Sequence, residues 1–192
     1  MANDLAGHYR SARLRLSELA RSLDADAQAT PVPACPGWTV RDTFAHLVAL
    51  PADALAGRIS GVPDEEFTAE QVIRFAGSTA ELADSWDESG PQIEALLADG
   101  LRVPALVIDL HTHEQDILGA LGRVGARDLP GTQWAIAAVT GAYPGIPVEP
   151  WEAWRARLGR RSRAQVEAWD WAPDTDLSDF FVFGPRDSDL IE

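Results

Sequence analysis

Cysteine is nearly absent from this 192-residue chain, and basic residues are scarce. The single cysteine, Cys35, excludes an internal disulfide and any cysteine pair that could form a CxxC metal knuckle. Sixteen basic residues stand against 30 acidic ones, which gives a formal net charge of −14. A protein that binds the phosphate backbone of a nucleic acid needs a positively charged surface, so we expect no nucleic-acid partner.

Long apolar runs are missing as well. No stretch approaches the roughly 20 apolar residues that span a bilayer. The first ten residues contain no basic segment followed by an apolar run, which a secretory signal would show. These absences predict a cytoplasmic protein without a membrane partner. Because 46% of the residues are hydrophobic, the chain can still build one substantial core.

What the sequence does contain is helical periodicity. Apolar residues recur at three- and four-residue steps in four stretches, which predicts four amphipathic helices joined by fairly short loops. The expected helices run from about Asn3 to Leu23, from a cap at Thr39, from Thr68 through Gly90-Pro91, and from Arg102 to Leu121. The third is either one long helix kinked at Pro91 or two nearly collinear helices. Such a set favours an all-α fold, with a four-helix bundle over residues 1–125.

After the bundle the pattern weakens, and residues 126–192 are expected to form a short helical extension and tail packed on the bundle. A short apolar helix is expected from Thr132 to Tyr143. Another helix should begin at Pro150 and continue through WEAWRARLGRRSRAQVEAW. It carries five of the sixteen basic residues within nine positions, namely Arg155, Arg157, Arg160, Arg161 and Arg163. Either they pair with carboxylates on a solvated helix end, or they form an anion-binding wall for a carboxylate-bearing ligand. In the second case Arg160 and Arg161 are the candidate cofactor-binding residues.

The fourth helix carries the residues that point to chemistry. Asp109 and His113 lie four positions apart, so on a helix they share one side, one turn from each other. At about 100° per residue, His113 falls inside the apolar sector, and Asp109 and Asp116 lie along one edge of it. A carboxylate and an imidazole that are half-buried in an apolar helix face either carry the free-energy cost of burying polar groups or form part of a metal site. We favour the metal site.

A third ligand can come from the second helix, where His46 lies on the flank of the apolar stripe. In an antiparallel bundle His46, Asp109 and His113 would supply two imidazoles and one carboxylate to a divalent ion. Three protein ligands leave at least one position for water or substrate, as catalytic sites do. Zinc suits this donor set, and nickel, iron or manganese would also fit. Asp116 is the candidate catalytic residue, since it could orient the other ring nitrogen of His113.

Three segments resemble the DinB / mycothiol-dependent maleylpyruvate isomerase superfamily. PACPGWTVRDTFAHL (residues 33–47) is similar to its Pro-Gly-Trp turn, aspartate and metal-binding histidine, and Asp109-x3-His113-x2-Asp116 resembles its acid-x3-His-x2-Asp element. LGRRSRAQVEAWDW (residues 158–171) is similar to a C-terminal stretch of actinobacterial members. The resemblance implies a DinB-like four-helix bundle with a metal, usually zinc, on His46, Asp109 and His113. The isomerase branch has glutamate at the position of Asp109.

The resemblance further implies that the metal binds the sulfur of mycothiol or a related low-molecular-weight thiol. A coordinated thiol loses its proton near neutral pH, giving a thiolate that can attack a small-molecule electrophile in an S-transfer or isomerisation. The same ion could instead activate water in a hydrolase or lyase. A non-catalytic bundle that binds a metal or a small ligand is the third interpretation. We lean towards an enzyme, and a homodimer is compatible with the sequence.

Two residues before the second helix are interpreted as structural. Cys35 is near a helix start, a position that favours a thiolate nucleophile. However, it lies in a rigid loop between Ala34 and Pro36, and a lone cysteine is most often a small buried hydrophobe. We therefore interpret Cys35 as a packing residue, and Trp38 as the packing anchor of the turn.

Overall fold

The regular structure is entirely helical in the part of the chain that the computed structural model describes, residues 4–59, 61 and 63–192. The helices there are α1 (Leu5–Ser22), α2 (Ala25–Gln28), α3 (Val40–Leu55), α4 (Glu65–Arg74), α5 (Thr79–Ala98), α6 (Pro104–Ala120), α7 (Pro130–Thr140), α8 (Pro150–Arg157) and α9 (Arg163–Glu167). The predicted all-α fold is confirmed. The expected start of the first helix at Asn3 lies outside the described residues. Among the described helices, none is long and apolar enough to cross a membrane.

The chain divides into two compact units, Met1–Arg127 and Asp128–Glu192. In the first unit, α1 and α3 each pack against both α5 and α6, so these four helices close into a bundle, and α4 lies against α3. The predicted apolar stripes point inward. Their almost completely buried side chains include Leu5, Tyr9 and Leu16 of α1, Val40, Phe44 and Val48 of α3, Leu82, Trp86 and Ile93 of α5, and Val107, Leu110 and Ile117 of α6.

The start of α3 follows its predicted capping. The Thr39 hydroxyl accepts the backbone N–H of Asp42, and the Asp42 carboxylate accepts the backbone N–H of Thr39 at 3.0 Å. Burial raises the pKa of Asp42, but the hydrogen bonds from Thr39 and the charge of Arg41 outweigh this and bring it below its ordinary value. This capping box fixes the residue at which the chain leaves the loop and enters the helix that carries His46.

The predicted third helix is divided near Gly77, and not at Gly90-Pro91, where the sequence predicts a kink or a division into two nearly collinear helices. Thr68 is not a cap, because α4 begins directly after Asp64, whose side chain accepts a backbone N–H of the first turn. The chain then turns at Gly77, which has a φ of +118°, and Ser78 caps α5. The α5 helix continues through Pro91 without ending. The break falls at Gly77 because glycine accepts a positive φ without strain and a capping box follows at once.

The second unit consists of short helices and loops around an aromatic cluster. The single helix predicted from Pro150 divides into α8 and α9 at Gly159, which has a φ of +79°. A Cβ at Gly159 would lie 2.9 Å from the Gly184 carbonyl oxygen, so the close approach also requires glycine. Within this unit the fully buried residues Ala156, Val166 and Phe180 are surrounded by partly buried Tyr143, Ile146, Trp169, Trp171, Leu177 and Phe181.

Ion pairs neutralise most of the arginines that are buried in the second unit. Arg155 is fully buried and donates its Nε–H to Glu192 at 2.8 Å. Arg161 donates to both carboxylate oxygens of Glu152, at 2.6 and 2.7 Å, and to Glu192 at 3.1 Å. Arg160 donates to the carbonyl of Leu158. The arginines thus do pair with carboxylates, but Arg155 and Arg161 do so inside the unit rather than on a solvated helix end.

Replacing Glu192 by Gln is expected to destabilise the second unit by about 1.5–3 kcal/mol at neutral pH, the range for hydrogen bonds to charged groups. Burial raises the pKa of Glu192, but the hydrogen bond and charge of Arg155 and the charge of Arg161 outweigh it and keep the pKa below its ordinary value. Such a carboxylate stabilises the folded state above its unfolded pKa of about 4.3, and this stabilisation is lost as the pH falls through the folded pKa.

Denaturant unfolding of both proteins between about pH 3 and about pH 7 measures this effect. Tryptophan fluorescence is a suitable signal because Trp134, Trp151, Trp154, Trp169 and Trp171 all lie in the second unit. Glu167→Gln is the control, since Glu167 is 55% exposed and lies 3.7 Å from Arg163. A Glu192→Gln protein that loses as much stability in acid as the wild type would contradict the prediction.

Candidate metal centre

The α3 and α6 helices bring the three predicted ligands together inside the bundle. His46 Nε2 lies 3.2 Å from Asp109 Oδ2, and His113 Nε2 lies 3.4 Å from Asp109 Oδ1. The two imidazole rings meet nearly edge to face, with centroids 5.1 Å apart. One donor atom from each of the three residues lies within 4.8 Å of the others. Both histidines are buried, whereas 29% of the Asp109 side chain is exposed.

His113 is held at both of its ring nitrogens. While Nε2 faces Asp109, Nδ1 lies 3.0 Å from Oδ2 of Asp116, whose side chain is completely buried. A carboxylate on the far nitrogen is the arrangement that fixes the tautomer of a metal-binding histidine and turns its other lone pair towards the ion. Asp116 thus contacts the three-donor cluster through His113, which favours a positioning role over direct catalysis.

Two residues of the loop before α3 also contact the cluster. The Trp38 ring centroid lies 5.2 Å from that of His46 and 6.0 Å from that of His113. The Cys35 Sγ atom lies 3.4 Å from Asp116 Oδ2 and 3.6 Å from His113 Nδ1, so Cys35, His113 and Asp116 form a second compact group of donors. The interpretation of Cys35 as a small buried hydrophobe is wrong, because this residue is partly exposed and contacts polar atoms.

Backbone hydrogen bonds fix the conformation of the loop that positions Cys35 and Trp38 against the donor cluster. The Val32 N–H donates to the Trp38 carbonyl at 2.9 Å, the Cys35 N–H to the Val32 carbonyl at 2.9 Å, and the Trp38 N–H to the Cys35 carbonyl at 3.0 Å. Gly37 has a φ of +85°, which permits this tight path. The Pro-Gly-Trp sequence signals the turn itself. It cannot indicate the contact with His113, which lies 78 residues beyond Cys35.

The electrostatic interactions within the cluster favour a positive charge at this position. Burial raises the pKa of Asp109, but the charges of His113 and His46 and their hydrogen bonds outweigh this, so its pKa lies well below the ordinary value. Burial lowers the pKa of His113, yet its electrostatic interactions with Asp109 and Cys35 and its hydrogen bonds with Asp109 and Asp116 raise it well above the ordinary value. Two carboxylates around one imidazole thus stabilise positive charge, whether of a proton or of a metal ion.

His111, the third histidine near this position, belongs to a different cluster. It is fully buried, and its Nδ1 lies 3.5 Å from Glu114. Arg15 of α1 donates two hydrogen bonds to the carboxylate of Glu114, each 2.8 Å long. His111 therefore contributes to the contact of α6 with α1, on another side of the helix from His113.

One protein-family model matches the chain, that of the mycothiol maleylpyruvate isomerase N-terminal domain, and the match covers residues 9–172. The chain belongs to this family. All three segments on which the resemblance rests lie within the matched residues. The bundle is thus a DinB-like bundle, and the protein is a mycothiol-related member of a metal-binding family. Neither the comparison with curated proteins nor the comparison with solved structures found a match.

The donor set of this family member fits a divalent ion. Two zinc bonds of about 2.0–2.1 Å at a tetrahedral angle place their donor atoms about 3.3 Å apart. The two histidine–Asp109 distances are close to this value, although they involve different carboxylate oxygens: 3.2 Å from His46 to Oδ2 and 3.4 Å from His113 to Oδ1. Although Asp109 is one methylene shorter than the glutamate of the isomerase branch, its two oxygens still reach both imidazoles. Nitrogen and carboxylate donors also suit nickel, iron and manganese.

Asp116→Asn is expected to lower the affinity for the metal about 10–100-fold, as the loss of an outer partner of a ligand histidine does. Asparagine keeps the size of the side chain but removes the charge that holds His113 Nδ1. A competition titration with a chelator measures the affinity, and Asp99→Asn, at an exposed position beyond α5, is the control. Unchanged affinity in a folded Asp116→Asn protein would show that Asp116 does not position the ligand.

Proposed function

We propose that the protein is a metal-dependent enzyme that activates a low-molecular-weight thiol, mycothiol or a close relative, as a nucleophile. The thiol would react with a small electrophile in an S-transfer or isomerisation. The observation that carries this proposal is the group of three donors, His46, Asp109 and His113, within 4.8 Å of one another. Three protein ligands leave a coordination position for a substrate atom, and the exposed part of Asp109 gives access to it from solvent.

Each residue of the site has a definite task in this proposal. His46, Asp109 and His113 would hold the ion, with zinc as the first choice. A divalent ion bound there supplies the charge that makes a coordinated thiol ionise near neutral pH. Asp116 would accept a hydrogen bond from the Nδ1–H group of His113, which leaves the Nε2 lone pair available to the ion. Trp38 lies against both histidine rings and keeps water from that side of them.

The role of the arginines as cofactor-binding residues stays a prediction for Arg160 and Arg161. Both carboxylate oxygens of Glu152 accept hydrogen bonds from Arg161, so an anionic cofactor would have to displace Glu152 from it. Arg160 already donates to a backbone carbonyl. The proposed thiol chemistry therefore rests on the bundle alone, without a contribution from these two residues.

Cobalt substitution tests the proposal without knowledge of the electrophile. Metal-free protein is loaded with Co²⁺, and mycothiol is then added. We expect a thiolate-to-cobalt charge-transfer absorption and the release of one proton for each bound thiol. S-methylated mycothiol should produce neither signal, because it cannot become a thiolate. A cobalt spectrum that is unaffected by mycothiol would contradict thiol activation, and would favour a hydrolase or lyase that activates water.

A further inference from the structure

Arg157, at the end of α8, is buried against aromatic rings of the second unit. It is 6% exposed, and its guanidinium carbon lies 5.1 Å from the Tyr143 ring centroid and 5.5 Å from that of Phe180. The two ring centroids are themselves 5.4 Å apart, and the rings are nearly perpendicular. Because these three distances are almost equal, both rings lie on the same side of the guanidinium instead of covering one face each.

The charge of Arg157 has no anionic partner among the residues that the structure describes. Its Nε and Nη1 atoms are buried and form no hydrogen bond there. Burial lowers the pKa of Arg157, partly countered by Tyr143, but an arginine stays charged in proteins. The neighbouring buried arginines differ, since Glu192 pairs with Arg155 and Glu152 with Arg161. A buried charge without a counter-ion is strongly destabilising, and two cation–π contacts of about 0.5–2 kcal/mol each offset only part of this cost.

A second donor without an acceptor lies one helical turn away. Trp154 is fully buried, and its Nε1–H group has no hydrogen-bond partner in the described part of the chain. Trp154 and Arg157 are three residues apart in α8, so they share a face of this helix. All three unpartnered atoms are N–H donors. Such a set matches a ligand that offers acceptors only, and leaving it unmatched costs about 1–3 kcal/mol for each group.

We propose that Arg157 is the anchor of a binding site in the second unit for a small organic carboxylate, with Trp154 as a further donor. A carboxylate is planar, accepts without donating, and forms the strong charge-assisted hydrogen bonds that a guanidinium prefers. The rings of Tyr143 and Phe180 favour a ligand with an apolar body. Phosphate fits less well, because a dianion needs more cationic partners and the nearby arginines already hold Glu152 and Glu192. This site lies within the second unit and does not depend on the metal chemistry proposed for the bundle.

Indole N–H signals in proton–nitrogen correlation spectra test the proposal, with benzoate as the probe. The Trp154 signal is assigned from its loss in Trp154→Phe. Benzoate is expected to shift it in a saturable manner, with a dissociation constant on the order of 1 mM or tighter. Benzamide, which has the same shape without the charge, should not. In Arg157→Gln the affinity for benzoate should fall at least about tenfold, the loss of one good charged hydrogen bond.

Arg163→Gln is the matched control, because Arg163 is 51% exposed and lies 3.7 Å from Glu167. It should bind benzoate as the wild type does. The wild-type comparison of benzoate with benzamide stands even if Arg157→Gln does not fold. No saturable shift in the wild type, equal binding of benzamide, or equal benzoate binding by a folded Arg157→Gln protein would each overturn the proposal. A response to inorganic phosphate but not to benzoate would overturn the choice of a carboxylate.

Discussion

The His113→Ala protein is expected to be purified without metal, whereas the wild type should retain about one zinc or nickel per chain. His113 is the residue that joins the cluster, since Asp109 lies at its Nε2 and Asp116 at its Nδ1. Replacing His113 by alanine removes one proposed ligand, and this ligand is also the imidazole that Asp116 would position. The affinity should therefore fall by more than the roughly 10–100-fold that the loss of an outer partner causes. Elemental analysis of protein prepared without chelators or an affinity tag measures this.

His46→Ala should lose the metal in the same way, which separates a three-residue site from one that uses His113 alone. The matched control is His8→Ala, because His8 is a partly buried histidine of α1 that belongs to neither donor group. It should keep its metal. Full metal content in a folded His113→Ala protein would exclude the centre. A metal-free wild type, even after reconstitution, would leave the bundle without a metal function.

Trp86→Ala is expected to lower the free energy of unfolding by about 3–5 kcal/mol, the range for deletion of a buried large aromatic side chain. Trp86 is completely buried in α5, and its Nε1–H donates to the Tyr9 hydroxyl at 2.9 Å. The substitution leaves a cavity between α5 and α1 and an unpaired hydroxyl on a Tyr9 that is 1% exposed. Urea unfolding followed by circular dichroism measures the change.

Two further substitutions separate the causes of this loss. Trp86→Phe fills most of the space but cannot donate, so its smaller loss should reflect the hydrogen bond, about 1–3 kcal/mol for an unsatisfied buried group. Leu96→Ala, at a 44% exposed position of the same helix, should change stability by no more than about 0.5 kcal/mol. If Trp86→Ala lowered the free energy of unfolding no more than Leu96→Ala, the stabilising role of the buried Trp86 side chain would be contradicted.

Most of the bundle and its three donors can be predicted because they depend on local spacing. Asp109 and His113 are one helical turn apart, so any helix at this position brings them to one side. His46 follows from a helix whose start is signalled by Thr39 and Asp42 seven and four residues earlier. Only the meeting of the two helix flanks goes beyond local sequence, and the antiparallel arrangement of a bundle supplies it.

The features that could not be predicted depend on contacts between distant residues. Cys35 and Trp38 approach His113 because a loop folds against α6, and no local pattern encodes that distance along the chain. The break at Gly77 was obscured by an apolar repeat that continues across it. The pairing of Arg155 with Glu192, 37 residues later, likewise depends on the path of the chain through the second unit, and so does the lack of such a partner for Arg157 among the described residues.

The three proposed metal ligands and the residues that cover them come from separate parts of the chain. The ligands stand on α3 and α6, whereas Cys35 and Trp38 stand on a hairpin-like loop held by main-chain hydrogen bonds between Val32 and Trp38. Because those bonds join main-chain atoms, a different loop of the same length can follow this path if it keeps glycine at position 37. Grafted loops of the same length would alter the shape of the opening and the choice of substrate, while the ligand set stays intact. The loop can thus be redesigned without changing the two helices, but each change at Cys35 or Trp38 also alters a contact of His113.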